Sequence, residues 1–145
     1  MKKAVIVYNS KSGTTKKLGE GIYDYLHKNG ISAHIRSIDE FDYSKLPEYD
    51  LFFLGCWTSG FLFFLQRPEK IWIDFAQKLP VLRSGRTILF TTYKIRTGSM
   101  FGEMRKCLRF SDDSEGYGKL KSRDGKLNIK NQMIIDERLK SKLDD

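Results

Sequence analysis

The sequence predicts an α/β protein built on a parallel, doubly wound sheet, and three observations carry that prediction. Apolar runs of strand length, from Ala4 to Tyr8, Leu51 to Leu54 and Thr87 to Phe90, alternate with segments of helical periodicity. Strands alternating with helices over this length imply parallel pairing through right-handed crossovers, with helices on both faces. The run Leu51-Phe52-Phe53-Leu54 is continuously apolar rather than alternating, so both faces of that strand are covered, as at the centre of a parallel sheet. Small, hydroxyl-bearing and glycine residues gather directly after each run, where the carboxyl ends of parallel strands carry ligand-binding loops.

The elements follow in order. Ala4 to Tyr8 is a first strand; Met1-Lys2-Lys3 has the basic start of a leader, but five apolar residues running into a polar loop are too few for one. Leu18, Ile22, Tyr25, Leu26 and Asn29 recur at helical spacing over Thr14 to Asn29, and Gly30 follows where a helix end favours positive φ. Ala33 to Ile38 is a second strand, and Asp39 to Pro47 is polar and turn-rich, a short irregular crossover. Tyr49 to Gly55 is the third strand. Pro68 and Glu69 open a helix through Trp72, Phe75, Ala76 and Leu79 that ends before Pro80. Thr87 to Thr92 is the fourth strand, and Met100 to Phe110 a helix through Met104, Cys107 and Leu108. Tyr117 to Ile129, broken by the turn Arg123-Asp124-Gly125, reads as an interrupted edge strand, since an edge tolerates charge. Ile135, Leu139 and Leu143 place a last helix over Met133 to Leu143.

Length and composition bound the function. With 145 residues, 40% of them hydrophobic, the chain suffices for one domain over 1–145 with a real core, and no apolar run is long enough to span a bilayer. Cys56 and Cys107, without C-x-x-C spacing, give neither a disulfide framework nor a zinc site and suit buried reduced thiols in a cytoplasmic protein. His27 and His34 have no second ligand at metal spacing. The net charge of +8 is concentrated: residues 51–110 hold 10 of the 26 basic side chains and 3 of the 18 acidic ones. Such a surface suits an acidic partner or an anionic substrate. Nucleic acid is disfavoured, because no zinc finger, RNP motif or basic helix with interleaved aromatics is present.

The first loop, Ser10-Lys11-Ser12-Gly13-Thr14-Thr15, reads as a phosphate cradle: hydroxyl donors and backbone N–H groups freed by Gly13, at a helix N-terminus whose dipole favours an anion. The alternative is an ordinary turn in which Ser12 only caps the helix. The P-loop and dinucleotide-binding spacings are absent. The pattern [ST]-x-[ST]-G-x-[ST] is present, and through it the chain resembles the flavodoxin family, whose first loop holds the FMN phosphate. The second loop, Gly55-Cys56-Trp57-Thr58-Ser59-Gly60, is similar to the family's second flavin loop. There Trp57 would stack on the isoalloxazine, Thr58 and Ser59 would bond its polar edge, and Cys56 and Gly60 would lie close by. Trp57 as a core aromatic is the competing reading. The third loop, Thr91 to Ser99, matches in position, with Tyr93 as the second aromatic and Thr92, Lys94, Thr97 and Gly98 as further contacts. It departs in charge, since family members often carry acidic residues where Lys94 and Arg96 stand. Phe61 to Leu65 is either a buried turn or an apolar flap or docking patch.

The resemblance covers about the first 110 residues. It implies a flavodoxin-like, three-layer α/β/α fold with a five-stranded sheet in order 2-1-3-4-5. It also implies non-covalent FMN, electron transfer among three flavin redox states, and a redox partner protein, here an acidic one. Two further readings stand beside it: an FMN-dependent reductase of a quinone-like or anionic small acceptor, and a flavin-free module that binds a protein through its basic face.

Overall fold

The computed structural model describes residues 2–61, 64–112 and 116–140. Five strands form the main sheet: β1 (Lys3–Asn9), β2 (Ser32–Ser37), β3 (Leu51–Trp57), β6 (Thr87–Thr92) and β7 (Gly118–Ser122). They run in the order β2-β1-β3-β6-β7, every pair parallel. This is the predicted 2-1-3-4-5 sheet. A separate antiparallel pair, β4 (Ser59–Phe61) and β5 (Phe64–Arg67), was not foreseen. Leu62 and Phe63 lie outside the described residues, as do the side chains of the rest of the run Phe61 to Leu65, so the flap or patch expected there falls outside them too.

Four helices cover the sheet: α1 (Thr14–Lys28), α2 (Lys70–Gln77), α3 (Met100–Lys106) and α4 (Ile129–Lys140). Alternation along the strands divides their side chains between two cores. Ala4, Ile6, Leu51, Phe53, Ile88, Phe90 and Leu120 face Leu18, Ile22 and Leu26 of α1 and Ile135 of α4. Val5, Val7, Leu54, Cys56 and Leu89 face Trp72, Phe75 and Ala76 of α2 and Met100 and Met104 of α3. The fold is thus a three-layer sandwich, and the continuous apolarity of β3 is explained by helices on both sides.

Boundaries differ where local hydrogen bonds override periodicity. The β2–β3 crossover contains two short 3₁₀ turns, Ile38–Glu40 and Tyr43–Glu48, the second opened by Asp42, whose carboxylate accepts from the Ser44 N–H at 3.0 Å. The Ser44 hydroxyl, donating to the same carboxylate at 2.6 Å, and after it this N–H bond hold the exposed Asp42 carboxyl below its usual range. α2 begins at Lys70 with Glu69 in the N-cap position, so Pro68 and Glu69 precede the helix rather than form its first turn. α3 stops at Lys106 rather than Phe110 because Arg109 and Ser111 pair with both backbone groups of Leu82, at 2.8 Å each. α4 begins four residues before the predicted Met133, because the Asn128 side chain accepts from the Asn131 N–H at 2.9 Å and caps it. Its predicted end at Leu143 lies outside the described residues. The interrupted edge strand resolves into the regular β7, a turn at Arg123–Gly125 and the start of α4.

One packing feature fixes the sheet centre. A Cβ on Gly55 would stand 2.1 Å from Cε2 of Phe90, so the ring occupies the place of a side chain on the neighbouring strand. Gly55→Ala is expected to cost about 1 to 3 kcal/mol by overpacking. Urea unfolding reads it as a lowered midpoint at unchanged slope, and an unmoved midpoint would contradict this packing.

Candidate functional site

Because the strands are parallel, β1, β3, β6 and β7 end on the same edge of the sheet, and their following loops converge. Two backbone bonds carry the pairing past the strands: the Thr58 N–H donates to Thr92 O at 2.9 Å and the Tyr93 N–H to Ser122 O at 3.3 Å. Beyond them lies a cavity of about 480 Å³, within the usual range for small-molecule sites. It stands where the order reverses between β1 and β3, the expected ligand position of a doubly wound sheet.

Of the residues singled out in the sequence, Lys11, Ser12, Thr14, Trp57, Thr58, Ser59, Thr92, Tyr93 and Lys94 line this cavity. Ser10 and Gly13 shape the first loop from behind. The Ser10 Oγ accepts from the Gly13 N–H at 3.1 Å and the Lys16 N–H at 3.2 Å, so Ser10, rather than Ser12, caps α1. Both acceptor positions are then used, and the Ser10 hydroxyl proton remains to be donated. Gly13 sits at φ 96°, a left-handed conformation that glycine adopts without strain. The Ser12 and Thr14 hydroxyls lie 3.3 Å apart. Among the described residues no group accepts from the N–H of Ser12, Thr14 or Thr15. The loop therefore offers unspent donors and contributes no carboxylate.

Thr15 does not line the cavity. It is 1% exposed, and its hydroxyl lies 2.6 Å from that of Thr92, tying the first loop to the third. Cys56 is also turned away. It shares a strand face with Leu54, packs under α2, and takes the Asn9 side-chain amide at 3.8 Å. Burial first of all pushes its thiol up to about 12. Folding thus raises this pKa, so the folded state holds the proton more tightly. The stability this contributes is full below about 9 and is lost as pH rises from there toward 12. Iodoacetamide at pH 8 is expected to leave Cys56 unmodified in the folded protein; rapid native-state labelling there would contradict its burial.

Neither Thr97 nor Gly98 is among the lining residues; the Thr97 carbonyl accepts from the Met100 N–H at 2.9 Å at the start of α3. Gly98, at φ 50°, packs so tightly that a Cβ would stand 2.2 Å from the Gln66 side-chain oxygen, and the Ser99 hydroxyl donates to Gln66 O at 2.7 Å. These contacts clamp the third loop to β5. Gly60 lies within β4. The structure adds Gln66, Ile95, Arg96 and Arg123 to the lining.

Two aromatic rings flank the space, each carrying a cation. The Lys11 ammonium lies 4.9 Å from the Trp57 ring centroid, and the Arg123 guanidinium 5.6 Å from that of Tyr93. An exposed contact of this kind is worth roughly 0.5 to 1 kcal/mol, weak enough for a stacked planar ligand to displace. The Trp57 Nε1 is buried without a hydrogen-bond partner among the described residues. Thr58 is anchored through Thr91, at 2.8 Å between hydroxyls, with Thr91 donating to Cys56 O at 2.6 Å. Ser59 donates to Arg67 O at 2.7 Å.

A donor-rich first loop that contributes no carboxylate at one side and two aromatic rings at the other fit a molecule that is anionic at one end and planar at the other. A flavodoxin domain model matches residues 5–60, which span the first two loops. Over nearly the whole chain, the fold is that of solved flavodoxins. The chain folds as a flavodoxin-like domain. It is 17% identical to a flavodoxin from the domain Archaea, covering 99% of each chain at a TM-score of 0.59. It is 17% identical to two-electron reduced Megasphaera elsdenii flavodoxin, covering 95% of this chain and 99% of that one at a TM-score of 0.69. It also matches rubredoxin oxygen:oxidoreductase from Desulfovibrio gigas, at 9% identity and a TM-score of 0.60, over 96% of this chain and 37% of that one. No curated protein sequence is significantly similar to this flavodoxin-like domain. Among its described residues no helix is long and apolar enough to cross a membrane, and no group of histidine, cysteine and carboxylate residues could hold a metal ion.

Proposed function

We propose that the chain is a single flavodoxin-like domain that binds FMN non-covalently and carries electrons to and from a redox partner protein. The observation that carries this reading is the pairing, in one cavity at the switch point of the sheet, of an unspent donor cradle with Trp57 and Tyr93. Bound FMN would supply reversible one- and two-electron chemistry.

The chain's own residues supply binding and orientation. Ser10, Ser12 and Thr14, with the free N–H groups of the α1 start, receive the phosphate, and the helix dipole adds to that attraction. Trp57 and Tyr93 hold the ring system, and the Thr15–Thr92 contact keeps phosphate and ring sites at a fixed separation. Among the described residues, the cavity lining holds no histidine, cysteine or carboxylate to act as nucleophile or general base. That favours a carrier over an enzyme with its own acid–base step. The two reduced thiols, one of them deeply buried, suit a cytoplasmic setting.

Reduction of the FMN-loaded protein by dithionite, followed by mixing with NAD(P)H and a quinone, separates the readings. A carrier accepts electrons from dithionite and shows negligible NAD(P)H turnover; sustained NAD(P)H oxidation would establish a reductase instead.

A further inference from the structure

Lys11, Lys94, Arg96 and Arg123 all line the cavity, and among the described residues no carboxylate does. Among the described residues, none of the four has a carboxylate within ion-pairing distance; the ion pairs belong to Lys3, Lys45, Lys70 and Lys106. Asp124, beside Arg123, is spent on its own turn: its carboxylate accepts from the Lys126 N–H at 3.0 Å and the Ser122 hydroxyl at 3.2 Å. Those bonds hold its carboxyl below the usual range. Like charges gathered without counter-charge repel, so the arrangement calls for an anion.

A phosphate in the first loop would neutralise Lys11, which belongs to that loop. It leaves the other three cations, on the loops after β6 and β7. All three are exposed, and between Lys94 and Arg96 stands Ile95, itself 43% exposed. Arg123 holds the group together: it lies over Tyr93, and its Nη2 stands 3.5 Å from the Ile95 carbonyl. An exposed apolar side chain framed by cations, with an arginine packed on an aromatic ring, has the make-up of a protein interface, an apolar centre within a charged rim. A small anion would meet these cations only in water, where their charge is screened; a protein surface covers and desolvates them.

We propose that Lys94, Ile95, Arg96 and Arg123 form a docking surface for an acidic protein, one presenting carboxylates around an apolar spot, at the lip of the cavity. The proposal rests on the flavin reading for its link to electron transfer, but the docking itself does not need the flavin.

The test uses cytochrome b5 as an acidic probe protein. Its affinity for the chain as purified, and for the chain loaded with FMN, is measured by surface plasmon resonance at low ionic strength. Lys94→Gln with Arg96→Gln and Arg123→Gln should weaken binding about tenfold or more. Lys28→Gln with Lys78→Gln and Lys130→Gln removes the same charge from exposed sites elsewhere and should cost much less. Ile95→Ser alone should weaken binding about threefold or more, in the chain as purified as well as in the FMN-loaded one. Equal losses in the two triple variants, or no salt-sensitive binding at all, would overturn the surface. Full affinity in Ile95→Ser would overturn a protein interface and leave a charge cluster open to small anions. A chain that takes up no FMN yet shows the expected pattern would fail the flavin reading and keep the docking surface.

Discussion

Replacing Ser10 and Ser12 together by alanine is expected to weaken FMN binding by about 2 to 4 kcal/mol and to leave riboflavin binding nearly unchanged. Each hydroxyl that donates to a phosphate contributes roughly 1.5 to 3 kcal/mol before compensation, because the acceptor is charged. Ser10 has a second task, since its oxygen accepts from the Gly13 and Lys16 N–H groups and holds the turn at the start of α1. Loss of such a cap costs about 1 kcal/mol of stability on its own. Riboflavin is therefore the essential control: it lacks the phosphate but would still sense a loosened loop. Fluorescence titration of both ligands decides, and equal losses for the two would remove the phosphate from this loop. Thr15→Ala belongs to a different experiment, because its hydroxyl is engaged with Thr92 and its loss loosens the contact between two loops.

Removing the cations around Tyr93 is expected to make the second electron harder to add. Full reduction of a bound flavin would place negative charge on the ring, and Lys94, Arg96 and Arg123 line the same cavity with no carboxylate among the described residues to offset them. A single cation about 7 to 10 Å from that charge, at an effective dielectric of about 20 to 40, favours the reduced form by roughly 40 to 100 mV for one electron. All three side chains are exposed, so salt reduces the effect. The triple glutamine variant should have its second couple lowered by on the order of 100 mV at low salt, with a smaller shift at high salt. Potentiometric titration reads both couples. An unmoved second couple would mean that these cations point away from the flavin and serve partner docking alone.

The sheet was legible in the sequence because its strands are extreme: β1, β3 and β6 are buried almost throughout, and covered strands leave unbroken apolar runs. The chain beyond residue 110 was harder. β7 carries exposed Lys119 and Lys121 between buried positions, as an edge strand does, and α4 exposes Ile129 and Met133. Apolar spacing therefore placed the helix start too late, and the signal that would have found it was Asn128, a capping residue. In the site, residue type identified the loops but not the direction of each side chain. Thr15 and Thr14 are chemically alike and adjacent, yet one helix position turns Thr15 into the core and Thr14 into the cavity. Cys56 could have been excluded by strand alternation, two residues from buried Leu54. Arg123 could not have been included, because its place beside Tyr93 comes from the pairing of β6 with β7 across some thirty residues of chain.

If the cavity between the first, second and third loops is an FMN site, the flavin-stripped protein takes FMN up there. Titrating FMN into the flavin-stripped protein, while recording the visible spectrum and the flavin fluorescence, tests it most directly. Saturation at one FMN per chain is expected, with a perturbed visible band, fluorescence strongly quenched by Trp57 and Tyr93, and markedly weaker binding of riboflavin. A spectrum that remains the plain sum of free FMN and protein at every ratio would contradict it.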